Sequence, residues 1–90
     1  MITAKEAHEE YIKYKGYKEK INYYINIISD DIFKAATTGK TWLEFHIYKN
    51  EPLDIINDVV QEFRNNGFKV NLTECKTYHL LYILWRIIDE

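Results

Sequence analysis

The residues of this chain that could do chemistry are one cysteine and three histidines. His8, His46 and His79 lie far apart and show no metal-ligand spacing. Cys75 lies four residues before His79, and a nearby base can activate a cysteine as a nucleophile. However, only Glu74 is at hand to orient the base, and nothing local suggests an oxyanion hole. The sequence therefore predicts no catalytic residue, no metal site and no cofactor, and we do not expect an enzyme.

Aromatic residues interleaved with cations form a second pattern, which is typical of surfaces that bind a partner or a ligand. One group lies in a lysine-tyrosine stretch over 13–20, which could hold phosphate. Another lies on one side of the predicted sheet, where rings could stack on a nucleobase or fill a protein interface. The predicted partner or ligand surface is Lys13, Lys15, Tyr17, Lys18, Trp42, His46, Tyr48, Tyr82 and Arg86. The alternative is an ordinary solvated surface without a binding role.

Length and composition limit the classes of protein to consider. The chain has 90 residues, which suits one domain over 1–90, and 47% hydrophobic residues argue against intrinsic disorder. Its formal net charge of −2 argues against a generic nucleic-acid binder, whose phosphate contacts need a basic excess. One cysteine excludes an internal disulfide, and no apolar run approaches the roughly 20 residues of a membrane span. We therefore expect a soluble, cytoplasmic protein.

The first part of the chain has the periodicity of a long helix. Thr3 and Glu6 fit a capping box, and the residues that follow repeat apolar and aromatic side chains at spacings of three and four. The spacing continues through Gly16, and one glycine costs a helix only about 1 kcal/mol. We predict one long helix over about 4–38, and a helical hairpin that turns at Gly16 is the alternative.

The rest of the chain predicts a β-α-β-β unit. The predicted elements are a strand over 42–48, a helix from Pro52 to Asn66, a strand over 68–73, a polar connection over 73–79 and a strand over 80–88. We expect the first two strands to run parallel through a right-handed crossover and the last two to form a hairpin. The predicted fold class is α+β, with a small three-stranded mixed sheet.

The long helix is apolar on more than one side, which predicts self-association. Isoleucine occupies both core positions of its heptad, and in parallel coiled coils this favours trimers or tetramers. Because the sheet can cover only one side, we expect another copy of the chain to cover the other. The alternative is internal packing by the sheet and the second helix. The predicted self-association residues are Tyr14, Ile21, Tyr24, Ile25, Ile28 and Ile32.

An acidic stripe along the second helix is a further candidate surface. It consists of Glu51, Asp54, Asp58 and Glu62. Such a stripe could meet a basic partner, although charge runs on helices are usually solvated faces.

Three segments of the chain carry a resemblance to known proteins. They are Thr3-Ala4-Lys5-Glu6-Ala7, an isoleucine-spaced helix closing in Ala35-Ala36 and Gly39-Lys40, and Asn66-Gly67-Phe68-Lys69-Val70 with a late Ile83-Leu84-Trp85. Together they resemble small uncharacterised proteins of phages and prophages in low-GC bacteria. The resemblance implies a helix-plus-small-sheet fold and a phage setting, with no activity and no functional residues to carry over. The chain departs from the simplest pattern in its tyrosine content and in the connection over 73–79.

These observations predict a non-enzymatic binding protein that forms a homo-oligomer. The phage resemblance favours an inhibitor that occludes a host protein or a protein of bacterial immunity. One alternative is an oligomer that captures a small nucleotide signal, with Lys13, Lys15, Lys18 or Arg86 on its phosphate. A less favoured alternative is a nucleic-acid-binding module that uses the aromatic sheet face. We expect no membrane association.

Overall fold

The computed structural model describes residues 1–86 and confirms an α+β fold in this part of the chain. The elements are α1 (Ala4–Lys13), α2 (Lys15–Thr37), β1 (Trp42–Tyr48), α3 (Leu53–Asn65), β2 (Lys69–Glu74) and β3 (Tyr78–Leu84). The predicted third strand therefore begins two residues earlier than expected and ends at Leu84. The last residues of its predicted range, 87–88, lie outside the described residues, as does the side chain of Lys15.

The predicted long helix is instead a short helix and a long one, which meet at Tyr14. Tyr14 has an extended backbone, with φ −62° and ψ 131°, and its carbonyl accepts the N–H of Tyr17 at the start of α2. The chain thus turns two residues before Gly16, the turn position of the hairpin alternative. This turn brings α1 towards α3, where His8 Nδ1 lies 3.9 Å from Asp54 Oδ2. The break therefore places α1 beside a helix that is distant in sequence.

The predicted helix ends are confirmed. The Thr3 hydroxyl accepts the backbone N–H of Glu6 at 3.1 Å, which completes the capping box at the start of α1. After α2, Gly39 has a φ of +88°, and after α3 Gly67 has a φ of +93°. This left-handed conformation suits glycine and closes the last turn of each helix.

The sheet is antiparallel throughout, with the strand order β1-β3-β2. This corrects the predicted mixed sheet: β1 and β2 run in the same direction, but β3 lies between them. The central position suits β3 because its residues alternate between buried and half-buried, whereas β1 and β2 have exposed residues. The predicted β2–β3 hairpin is confirmed. Its connection is shorter than expected, because Cys75 N–H donates to the Tyr78 carbonyl at 2.9 Å.

The core lies between α2, α3 and the inner face of the sheet. Its most buried side chains are Ile28, Ile47, Ile55, Ile56, Val59, Leu81 and Ile83. Burying each such side chain contributes about 1.5–3 kcal/mol to folding. Two residues predicted for self-association belong to this core, since Ile28 is 0% and Ile32 is 9% exposed. They are packed within their own chain and are not available to a second copy.

Candidate functional site

Within residues 1–86, one face of the sheet is not packed against the helices, and we call it the open face. In β1, the side chains of Leu43, Phe45 and Ile47 pack towards the core, while the residues between them are exposed. The alternation predicted for this strand is therefore confirmed, and the register extends it across the sheet. The open face consists of Trp42, Glu44, His46, Tyr48, Lys69, Asn71, Thr73, Tyr78, Leu80, Tyr82 and Leu84.

Two stacked pairs of rings lie on the open face. Trp42 stacks on Tyr82 with ring centroids 5.7 Å apart, and His46 stacks on Tyr78 at 4.4 Å. Each pair joins β1 to β3 between residues that are diagonal neighbours in the register. Lys40 Nζ adds a cation 5.8 Å from the Trp42 ring. Because each ring is held by its neighbour, the surface is ordered before any partner arrives.

Tyr78 is a residue of this site that the sequence pattern did not predict. It was assigned to the connection over 73–79, but it belongs to β3 and has the same parity as Tyr82. That parity was the available signal, because residues two apart in a strand share a face. Tyr48, by contrast, is on the predicted face and is 78% exposed.

Charge is distributed unevenly over the open face. Glu44 lies in β1 between Trp42 and His46, so a carboxylate separates the two stacked pairs. Lys69 lies at the end of the sheet where Trp42 pairs with Leu84. The Glu44 carboxylate, which lies between the stacked pairs, is unfavourable for a phosphate backbone that would cross the face.

Cys75 and His79 do not form a nucleophile–base pair. His79 is 8% exposed and lies on the inner side of β3 with Leu81. Cys75 instead hydrogen-bonds Tyr78, and this bond is the main reason that the pKa of Tyr78 is raised. The thiol and the imidazole thus contact different surroundings.

Tyrosine–carboxylate contacts join α2 to α3 and to the segment just before it. The Tyr17 hydroxyl donates to Asp58, and the Tyr24 hydroxyl donates to Glu51. Burial and these hydrogen bonds raise the pKa of both tyrosines. Burial opposes ionisation of Glu51, but hydrogen bonds from Lys20 at 2.7 Å and from Tyr24 outweigh it and lower the pKa of Glu51.

These contacts correct two interpretations of the sequence. Tyr17 was predicted to lie on a ligand surface, but it is 4% exposed and its hydroxyl is occupied. The acidic stripe of α3 was considered as a solvated face or a site for a basic partner. Instead, Asp58 and Glu51 accept hydrogen bonds from α2, and Asp54 lies near His8 of α1. Helical periodicity alone could not show that the basic and aromatic residues of α2 face this stripe.

The predicted cationic residues do not converge on one site. Lys13 pairs with Glu10 at 3.7 Å, and Lys18 is exposed on α2. Arg86 follows β3, next to Trp85, whose indole N–H donates to a carbonyl beyond the C-terminal end of α2. Since α2 has 23 residues and spans about 35 Å, Lys13 and Arg86 lie at opposite ends of the molecule.

Two grooves flank α2. The first, of about 510 Å³, lies between α2 and α3 and is lined by Ile25, Ser29, Ile32, Phe33, Ala36, Glu62, Phe63, Asn66 and Phe68. The second, of about 630 Å³, is lined by Tyr11, Tyr14, Gly16, Tyr17, Glu19, Lys20, Tyr23, Pro52 and Ile55. Within residues 1–86, no buried side-chain nitrogen or oxygen lacks a hydrogen-bond partner. Neither groove therefore contains a buried polar atom that calls for a ligand.

Two further classes of site were sought in the described part of the chain. No group of three or more His, Cys, Asp or Glu residues within 1–86 is arranged to hold a metal ion. The helices of this part are too short or too polar to span a membrane.

Comparison with family models, curated proteins and solved structures found no significant match to this chain. The open face is the candidate functional site, on its geometry alone.

Proposed function

We propose that this protein acts without catalysis, by binding another protein through the open face of its sheet. The observation that carries this proposal is the two pairs of stacked rings, Trp42 on Tyr82 and His46 on Tyr78. Tyrosine and tryptophan are enriched at the centres of protein interfaces, where they supply a large contact area. Rings that already contact each other lose less side-chain entropy when a partner binds.

The charge of the surface favours a protein partner over a nucleic acid. Glu44 lies between the two stacked pairs, and the chain carries a formal net charge of −2. A base-stacking platform needs cations along the path of the phosphates.

Occlusion is the mode of action that such a surface supports best. A rigid aromatic face can cover a partner's working site without any reacting group of its own. In the phage setting implied by the resemblance, the partner would be a host protein or a protein of bacterial immunity. The proposed function is thus that of an inhibitor that acts in the cytoplasm of a bacterial cell.

The test compares three tagged forms of the protein in affinity capture from lysate of a low-GC bacterium. The wild type and a Tyr14→Ala, Tyr23→Ala control should retain the same partner, because both control rings are exposed and lie outside the sheet. Trp42→Ala with Tyr82→Ala should weaken retention by tenfold or more, about the effect of removing interface hot spots. Circular dichroism should confirm that all three forms are folded. Equal retention by all three would contradict the proposal.

A further inference from the structure

The outer edge of β1 has backbone groups free to pair with another strand. The Thr41 carbonyl accepts Trp85 N–H at 3.0 Å, and Lys49 N–H donates to the Thr77 carbonyl at 3.3 Å. These two bonds flank the β1–β3 ladder, so the odd-numbered residues of β1 make the hydrogen bonds to β3. The even-numbered residues, among them Glu44, therefore direct their N–H and C=O groups away from the sheet.

Few of these outward groups of β1 are used. The Tyr48 carbonyl accepts Glu51 N–H at 3.1 Å. Within residues 1–86, the outward backbone groups of Trp42, Glu44 and His46 have no hydrogen-bond partner. Such a row of groups is a template for a further strand.

The opposite edge of the sheet is less accessible. The β2–β3 register and the Cys75–Tyr78 bond place the Val70 backbone groups on the outer side of β2. The Arg64 guanidinium of α3 donates to the Val70 carbonyl at 2.7 Å. Lys69 adds an exposed cation at this edge, a feature that discourages strand pairing. The two edges thus differ, and β1 is the one prepared for pairing.

We propose that a second copy of this chain pairs with β1 across a two-fold axis at Phe45, forming a continuous six-stranded antiparallel sheet. In this register Trp42 lies opposite Tyr48 of the partner subunit, and Glu44 lies opposite His46 of the partner subunit. All seven residues of β1 overlap, and the outward backbone groups of both strands meet.

Charge and side-chain pattern select this register over its neighbours. A shift by two residues sets Glu44 against Glu44 of the partner subunit, or His46 against His46 of the partner subunit. The proposed register instead forms two symmetry-related carboxylate–imidazole pairs on the open face. At the axis, the half-buried Phe45 meets Phe45 of the partner subunit, which covers apolar area left open by α2. Aromatic cross-strand pairs stabilise antiparallel sheets, and a carboxylate can accept a hydrogen bond from an imidazole N–H.

This interface moves the predicted self-association from the heptad positions of α2 to the edge of the sheet. Ile28 and Ile32 of α2 are buried within the chain, whereas the outward backbone groups of Trp42, Glu44 and His46 are not paired within residues 1–86. The proposal does not depend on the proposed function, because its readout is the mass of the assembly and not the capture of a partner.

The test is a charge reversal within β1, read by sedimentation equilibrium or native mass spectrometry. The wild type should have twice the 10.9 kDa mass of the chain. In the proposed register, His46→Glu places a carboxylate opposite Glu44 of the partner subunit on each side of the two-fold axis. This variant should weaken the dimer by about tenfold or more. Adding Glu44→Lys to His46→Glu restores opposite charges in the proposed register and should restore the dimer. Both variants lack the His46–Tyr78 stack, so the comparison isolates the charge pair.

Asn71→Glu is the matched control, because it adds a carboxylate to the same face on β2 and should leave the dimer unchanged. Three outcomes would each overturn the proposal. They are a monomeric wild type, a His46→Glu variant as dimeric as the wild type, and a double variant that stays monomeric. Circular dichroism of every variant shows whether a variant that no longer dimerises is still folded.

Discussion

Tyr14 and Tyr17 show how tertiary contacts separate two residues of one sequence pattern. Both belong to the lysine-tyrosine stretch at the start of α2, yet Tyr14 is 67% exposed and Tyr17 is 4% exposed. Tyr17 packs edge-on against Tyr11 at 5.1 Å and donates its hydroxyl to Asp58. A tyrosine suits this position because its ring is apolar and its tip is polar. Its role is therefore structural, and the aromatic residues proposed for binding lie on the sheet instead.

Removal of the Tyr17 hydroxyl tests this assignment. Tyr17→Phe should lower the free energy of unfolding by about 1 kcal/mol, the usual net contribution of one hydrogen bond. The pKa of Tyr17 is raised above its ordinary value of 10.0, so the contribution is present below pH 10 and decreases at higher pH. Urea unfolding measures the difference. Tyr14→Phe is the matched control and should stay within about 0.5 kcal/mol of the wild type.

The helix α2 combines a core face with a row of polar contacts. Ile28 and Ile32 pack against the sheet and α3, while Tyr17 and Tyr24 reach carboxylates in α3 and in the segment just before it. The helix has a full core face within one chain, which explains its isoleucine spacing without a coiled coil. By contrast, α1 has no buried residue in its span. We therefore expect the stability of the fold to depend on α2 far more than on α1.

Truncation of one isoleucine on each helix measures this difference. Ile28→Ala should lower the free energy of unfolding by about 2–5 kcal/mol, because it leaves a cavity in the core. Ile12→Ala on α1, where the side chain is 38% exposed, should change it by about 0.5 kcal/mol or less. Chemical unfolding followed by circular dichroism gives both values. An Ile28→Ala protein that keeps its stability but changes its assembly mass would return the α2 face to the role of an interface.

The molecule as a whole is elongated. Its radius of gyration is 15.1 Å, whereas a compact domain of this length has about 12 Å. The long dimension of 55 Å exceeds the span of any single element, and α2, at about 35 Å, is longer than the seven-residue strands, at about 23 Å. Part of α2 therefore extends beyond the sheet. There, contacts such as those of Tyr24 and Lys20 with Glu51 hold it to the neighbouring segment, so the shape of the molecule depends partly on ionised carboxylates.

Acid should therefore destabilise the fold in part through Glu51. Because the folded pKa of Glu51 is lowered, its contribution is present above the ordinary carboxyl value of 4.5 and is lost as the pH falls below it. The free energy of unfolding of the wild type should decrease between pH 6 and pH 3 more steeply than that of Glu51→Gln. Thermal unfolding at each pH measures the slopes. Glu9→Gln, a change at an exposed residue of α1, is the control. If the free energy of unfolding of Glu51→Gln decreased as steeply with falling pH as that of Glu9→Gln, the expectation would be contradicted.

The amino-acid sequence by itself determined the features that depend on neighbouring residues. It predicted the capping box at Thr3, the helix ends before Gly39 and Gly67, and the bounds and faces of β1. Each of these follows from local geometry, because caps, left-handed turns and strand alternation involve residues only a few positions apart. The α+β class follows in turn from the two periodicities that succeed one another along the chain.

Only the tertiary structure decided the features that depend on residues distant in sequence. The break at Tyr14 accompanies contacts of α1 with α3, and the central place of β3 depends on competition among three strands for the buried position. The same holds for Asp58 of the acidic stripe, whose carboxylate accepts a hydrogen bond from Tyr17 of α2, 41 residues away along the chain. Local periodicity describes which face of an element is apolar. It does not describe which other element will cover that face, because that choice minimises exposed apolar area and unpaired polar groups over the whole molecule.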